Sequence, residues 1–204
     1  MASARKLRPI HERGPERQPK KVLFVQGGGQ GTHDSWDDKL VASLETALGA
    51  GYTVSYPRMP KEEEPDPATW KKTIDRELRR LGDGAIVVGH SIGAAILVDH
   101  LADETWPVRP AGLFLVATPF MGRDGGGEGW PSGELRPTRE VGASLSDGAP
   151  IYFYQGLDDD TVPPSHADLL AHAFPRATIH RLKGRNHQLS DDLTEIARDI
   201  QRLE

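Results

Sequence analysis

Cysteine is absent from this 204-residue chain, and aromatic residues make up only 6% of it. Without a thiol there is no disulfide scaffold, no thiolate zinc site and no cysteine nucleophile. Long apolar runs are missing as well. Stretches such as Ala85 to Val88 and Leu113 to Ala117 fall far short of the roughly 18 residues a membrane-spanning helix requires. No apolar signal-peptide segment precedes Val22, so a cytoplasmic protein without a membrane partner is expected. The remainder is ordinary for a globular chain, with 37% hydrophobic and 27% charged residues, 22 glycines and 16 prolines. A chain of this size buries about 70% of its unfolded surface, so its core needs no covalent or metal staple, and one domain is the default.

The net charge of −5 is unevenly spread. Arg5, Lys6, Arg8, Arg13, Arg17, Lys20 and Lys21 face only Glu12 and Glu16 near the N-terminus, which leaves the rest of the chain acidic. A basic, proline-punctuated head without apolar periodicity buries too little surface to offset its ordering entropy, so residues 1–20 read as a disordered leader and 21–204 as the folded domain. The acidic body argues against nucleic acid as a partner.

From Lys21 onward, short apolar runs alternate with amphipathic helical patterns, which predicts an α/β fold. The expected strands are Val22–Gln26, Tyr52–Tyr56, Ala85–Gly89, Gly112–Ala117, Ile151–Gln155 and Ala177–Leu182. They predict a three-layer sandwich: a mostly parallel six-stranded sheet with helices on both faces. Ser35 is expected to cap a helix that buries Trp36, Leu40, Leu44 and Leu48. Asp66-Pro67 opens a second helix, buried through Trp70, Ile74, Leu78 and Leu81 and stopped at Gly82. Ser190 is expected to cap the last, with Leu193, Ile196, Ala197 and Ile200 inward. Between Phe120 and Arg139, six glycines and two prolines interrupt the rhythm and suggest a lid-like insertion.

The third strand ends in Gly89-His90-Ser91-Ile92-Gly93 and runs straight into a helical stretch. A serine at such a strand-turn-helix junction projects its hydroxyl above the sheet, with a helix N-terminus behind it, and flanking glycines let strand and helix approach closely. A hydroxyl is a poor nucleophile until a base takes its proton, so a histidine and a carboxylate are needed. Both follow in the chain. The fifth strand leads into Gly156-Leu157-Asp158-Asp159-Asp160-Thr161-Val162-Pro163 and the sixth into Gly184-Arg185-Asn186-His187, both at carboxyl ends of parallel strands, where open α/β sheets hold their ligands.

The elbow around Ser91, the Gly-x-x-Asp-x-x-Val-Pro turn and the late His187 resemble the α/β-hydrolase superfamily across residues 21–204. Small size, Trp36 and Met59-Pro60 resemble its compact serine hydrolases related to the retinoblastoma-binding hydrolase. The resemblance implies the strand order 2-1-3-4-5-6, with Ser91 as nucleophile, His187 as general base and acid, and Asp159 as the residue that orients it. Asp158 and Asp160 remain alternatives for the acid, and three adjacent carboxylates also suit a hard cation, although their spacing fits no ligand-loop pattern.

Acyl transfer needs donors for an oxyanion, for which the amides of Ile92 and of Gly28, in the Gly27-to-Gly31 loop, are the candidates. Larger family members carry a His-Gly pair there, and Gln26 takes the histidine's place. A dinucleotide loop would need glycine where Thr32 stands, and no lysine follows for a P-loop. His90, Phe120, Met121 and Trp130 are candidates for lining the substrate site, with Trp130 alternatively a loop anchor. His33, in the loop after the first strand, could contact substrate but is not counted among the site residues; His166 and His172 read as packing or surface residues, His180 as too far along its strand to reach Ser91, and Glu62-Glu63-Glu64 as a solvated run. The expected activity is hydrolysis of small carboxylic esters, thioesters or amides without a cofactor, with short acyl groups suiting a thin lid. A protein-binding member of the fold and an acyltransferase or perhydrolase are the alternatives.

Overall fold

The computed structural model describes residues 18–103, 106–121, 135, 138, 141 and 148–203. Most of the basic leader, the glycines from Gly122 to Gly133, and Trp130 lie outside the described residues. The sheet has six strands: β1 (Lys20–Val25), β2 (Tyr52–Ser55), β3 (Ile86–His90), β4 (Gly112–Val116), β5 (Ile151–Gly156) and β6 (Thr178–Leu182). Their order is β2-β1-β3-β4-β5-β6, as the family resemblance implies, and all five pairings are parallel, as the alternation of apolar runs and helical patterns predicts.

The helices are α1 (Thr32–Ser35), α2 (Asp37–Leu48), α3 (Pro67–Leu81), α4 (Ser91–Leu101), α5 (His166–Ala173) and α6 (Thr194–Gln201). Alternate residues of β1 show why its run is apolar throughout. Val22 and Phe24 pack under α2 and α6 with Leu40, Leu44, Ile196 and Ile200, while Leu23 and Val25 pack under α3 and α4 with Trp70, Ile74 and Leu97. A strand covered on both faces has no solvent side on which to place polar residues. Ser91 through His100 on α4 are all buried, the pattern of a helix enclosed on every side.

Helix α3 begins as its sequence predicts: the Asp66 carboxylate accepts from the Thr69 amide at 2.8 Å, and Gly82, at φ 84°, stops it. The other two starts differ from expectation. Trp36 has φ −124° and ψ −63°, which breaks the chain between α1 and α2, so Ser35 caps nothing. That break swings Trp36 off the buried stripe: it is 54% exposed, beneath Lys39, and Asp37 turns inward instead. Ser190 lies in a 3-10 turn, Leu189–Asp191, at φ 56°. The chain must double back after His187, so α6 starts later, at Thr194, whose amide donates to the Asp192 carboxylate at 3.0 Å.

Candidate active site

The carboxyl ends of β1, β3, β5 and β6 bring the site together. His90 ends β3 in extended geometry, Ser91 follows at φ 53°, and α4 begins there. Two glycines make that sharp corner feasible. A Cβ at Gly89 would lie 2.5 Å from Leu97, and one at Gly93 2.1 Å from the Gln26 carbonyl oxygen. A non-glycine residue with positive φ is strained, and such strain concentrates at functional sites.

His187 reaches Ser91 from the loop after β6, with Nε2 3.1 Å from Oγ. Its Nδ1 lies 3.1 and 3.0 Å from the two Asp159 oxygens. A carboxylate only accepts, so Nδ1 carries the proton and Nε2 is left to accept from the serine hydroxyl. Asp159 is buried and also accepts from Gln155 Nε2 at 2.9 Å and from the amides of Thr161 and Val162 at 2.9 and 2.8 Å. Burial pushes its carboxyl up, but the bond and charge of His187 together with those two amides outweigh it and hold the group below the usual carboxylate range. Asp158 and Asp160 are exposed, so the three neighbouring carboxylates do not converge on one point. Gly156 has a separate purpose: a Cβ there would meet the Arg185 and Asn186 carbonyl oxygens at 2.3 and 2.6 Å, so glycine lets the turn after β5 and the loop after β6 touch.

The loop after β1 is fastened by two carboxylates. The Gly27 amide donates to Asp37 Oδ2 at 2.7 Å; the Gly31 and His33 amides donate to Glu62 at 3.0 and 3.1 Å, and the Gly29 amide to the Glu62 carbonyl at 2.6 Å. Gln26 completes the fastening by donating to Glu62 at 2.7 Å and accepting from the Met59 amide at 3.0 Å. Glu62 is therefore folded back onto the loop, in contrast to the solvated role its acidic neighbours suggest, whereas Glu63 and Glu64 are exposed. Burial pushes Glu62 up, but Gln26, the two amides and Arg58 leave it below its ordinary value. The amides of Gly28 and Ile92 hydrogen bond to no other described residue. Gly28 packs so close to Ile92 that a Cβ would lie 2.8 Å from the Ile92 side chain.

Behind Ser91, His90 is buried, with Nδ1 3.0 Å from both Asp37 oxygens and Nε2 3.2 Å from the His187 carbonyl oxygen. Neither Asp37 nor Glu62 stands out in the sequence: one reads as an ordinary first-turn helix acid, the other as part of a charge run. A cavity of about 300 Å³ opens at Ser91, lined by Gly27, Gly28, Thr32, Pro65, Ile92 and His187 among others, with the buried His90 also against it. Phe120 and Met121 do not line it. Both are buried in the hydrophobic core, and their amides donate to His166 Nδ1 at 2.9 Å and Thr138 Oγ1 at 2.8 Å. His33 stacks on Tyr56, and His180 pairs with Asp199, away from Ser91.

The same architecture occurs in solved structures. The ydeN gene product of B. subtilis superposes with a TM-score of 0.68 at 18% identity, covering 89% of this chain and 97% of that one. The esterase domain of a Rhodothermus marinus protein gives 0.61 at 17% identity, covering 91% and 85%. A serine hydrolase of Xanthomonas campestris described as lacking a lid gives 0.60 at 20% identity, covering 92% and 83%. Likeness at this level of identity is likeness of fold. No curated protein matches the sequence. The model of the alpha/beta hydrolase family, however, matches residues 22–200, from the first residue of β1 that enters the core to the last turn of α6. With the parallel sheet, the elbow at Ser91 and the matched span in agreement, the chain belongs to the alpha/beta hydrolase family.

Proposed function

We propose that the protein is a serine hydrolase that cleaves small carboxylic esters through an acyl-enzyme on Ser91. One observation carries this reading: His187 stands between the Ser91 hydroxyl at 3.1 Å and the Asp159 carboxylate at 3.0 Å, with its two nitrogens assigned opposite tasks by their partners. His187 takes the hydroxyl proton as Ser91 Oγ attacks the ester carbonyl. The negative charge that develops on the carbonyl oxygen is met by the Gly28 and Ile92 amides, which line the cavity and have no other partner among the described residues. The tetrahedral intermediate collapses, the alcohol leaves with the proton from His187, and Ser91 keeps the acyl group. Water, deprotonated by His187, then releases the acid and restores the serine. No step of this route calls for a metal or a redox cofactor.

Short acyl groups suit the cavity, whose volume is about 300 Å³ and whose apolar lining among the described residues is Ile92 and Pro65. The kcat/KM for p-nitrophenyl acetate or butyrate is expected to exceed that for long-chain esters.

The deciding experiment is labelling of the purified protein with a fluorophosphonate, followed by peptide mass spectrometry. An adduct on Ser91 that disappears in Ser91→Ala is the expected result. A folded protein that takes no label, or a Ser91→Ala variant that cleaves activated esters at the parent's rate, overturns the proposal and favours a protein-binding role.

A further inference from the structure

His90 is fully enclosed between the elbow and the base loop, and it belongs to no step written above. Its two ring nitrogens face groups that can only accept: the Asp37 carboxylate at 3.0 Å and the His187 carbonyl oxygen at 3.2 Å. Each nitrogen must therefore carry a hydrogen, which makes the ring an imidazolium. Asp37 is itself enclosed and accepts at the same time from the Gly27 amide, at 2.7 Å. One buried ion pair thus joins the nucleophile elbow, the loop bearing the Gly28 amide and the loop bearing the general base. Its members are 53 residues apart in the chain, and His90 and His187 are 97 apart.

We propose, on the reading of the protein as a serine hydrolase, that His90 is a positioning residue: as an imidazolium paired with Asp37 it holds the His187 carbonyl, and through it the His187 ring, within reach of Ser91. The rings of His90 and His187 lie 4.9 Å apart at 50°, so the two imidazoles are not bonded to each other, and the restraint passes through the backbone. Loss of the His90 proton would turn a lone pair on Nε2 toward the carbonyl oxygen and replace an attraction by a repulsion. The charged groups that face His90 are Asp37 from the start of α2 and Asp159 from the turn after β5, with the His187 ring and carbonyl from the loop after β6. Burial pushes His90 down, but Asp37, the His187 carbonyl and Asp159 together hold it above the ordinary imidazole value. Activity is therefore expected to decline on the alkaline side, as His90 gives up its proton.

The test uses the full chain and two variants, His90→Gln and Asp37→Asn. For p-nitrophenyl acetate, His90→Gln is expected to lower kcat by about 100-fold, the scale of a base displaced by an ångström, with KM nearly unchanged and the alkaline decline gone. Asp37→Asn removes the countercharge, so the alkaline decline is expected to move to lower pH. A merely structural role would lower the melting temperature of both variants and leave the pH profile where it was. Ring nitrogen NMR of the wild-type protein gives a readout independent of activity and of whether the variants fold. Both His90 nitrogens are expected to be protonated at neutral pH, and the low-field His187 Nδ1 proton is expected to weaken in His90→Gln. A singly protonated His90, or a His90→Gln enzyme with unchanged kcat and pH profile, overturns the proposal. Failure of Ser91 to take a fluorophosphonate overturns the hydrolase reading instead, while the ring spectra still decide whether the pair holds His187.

Discussion

Two Asp–His pairs lie side by side at the carboxyl edge of the sheet, and they differ in what the second ring nitrogen of each histidine faces. In the Asp159–His187 pair, the carboxylate occupies one ring nitrogen and the other faces the Ser91 hydroxyl. In the Asp37–His90 pair, both nitrogens are occupied by groups that accept, so no position is left from which the ring can take a proton. Burial follows the same division, with the His187 side chain 16% exposed toward the cavity and that of His90 only 1%. An imidazole paired with a carboxylate is a base only where its second nitrogen is turned toward something that can give up a proton.

Breaking the first pair is expected to have the largest effect. Ser91→Ala or His187→Ala should each reduce kcat by about 10⁶-fold, measured by ester hydrolysis at saturating substrate, because members of such a unit are not additive. Asp159→Asn should cost about 10⁴-fold, since the amide no longer selects the tautomer with hydrogen on Nδ1. The second pair is expected to register more strongly in stability. Asp37→Ala leaves an enclosed imidazolium without its countercharge and the Gly27 amide without its acceptor, and should cost roughly 3–5 kcal/mol in urea unfolding.

The pH dependence distinguishes the pairs further. His90 lies above its ordinary value in the folded protein, so its contribution to stability is complete below about pH 6.5 and is lost as pH rises through the native pKa. Burial raises Asp37 and lowers its advantage, but His90 and the Gly27 amide outweigh burial and hold it below its usual range, as His187 does for Asp159. Their contributions are present above about pH 3.9 and are lost as pH falls through the native values. The stability gap between wild type and His90→Gln in urea should therefore close on the alkaline side. The smallest change is expected at the edges of the acid turn, where Asp158→Asn and Asp160→Asn should alter kcat by less than about twofold, since both side chains are exposed.

The legible parts of this protein are those whose causes are local. β1 and β3 appear as continuous apolar runs because both faces of each are covered. Helix α3 announces itself through Asp66, Pro67 and the stripe of Trp70, Ile74 and Leu78. Ser91 was legible because Gly89 and Gly93 flank it at a junction of strand and helix, and the turns bearing Asp159 and His187 were legible by their places after strands. Trp36 departs from the helical spacing of Leu40, Leu44 and Leu48 because the helix breaks at that residue. Phe120 and Met121 follow β4 in the chain but are packed in the core and do not line the cavity.

The sequence by itself determined the layer order, the alternation of the sheet residues between two cores, and the residue types at the elbow and the two loops, since each follows from short-range periodicity and turn chemistry. Only the tertiary structure decided which carboxylates serve as partners. Asp159 was separated from Asp158 and Asp160 by burial and by the amides of Thr161 and Val162. Glu62 was separated from its acidic neighbours by Gln26, 36 residues away, and Asp37 was turned inward by His90 and the Gly27 amide. A carboxylate leaves water only where donors gathered from distant parts of the chain replace its hydration, and that gathering is a property of the folded sheet.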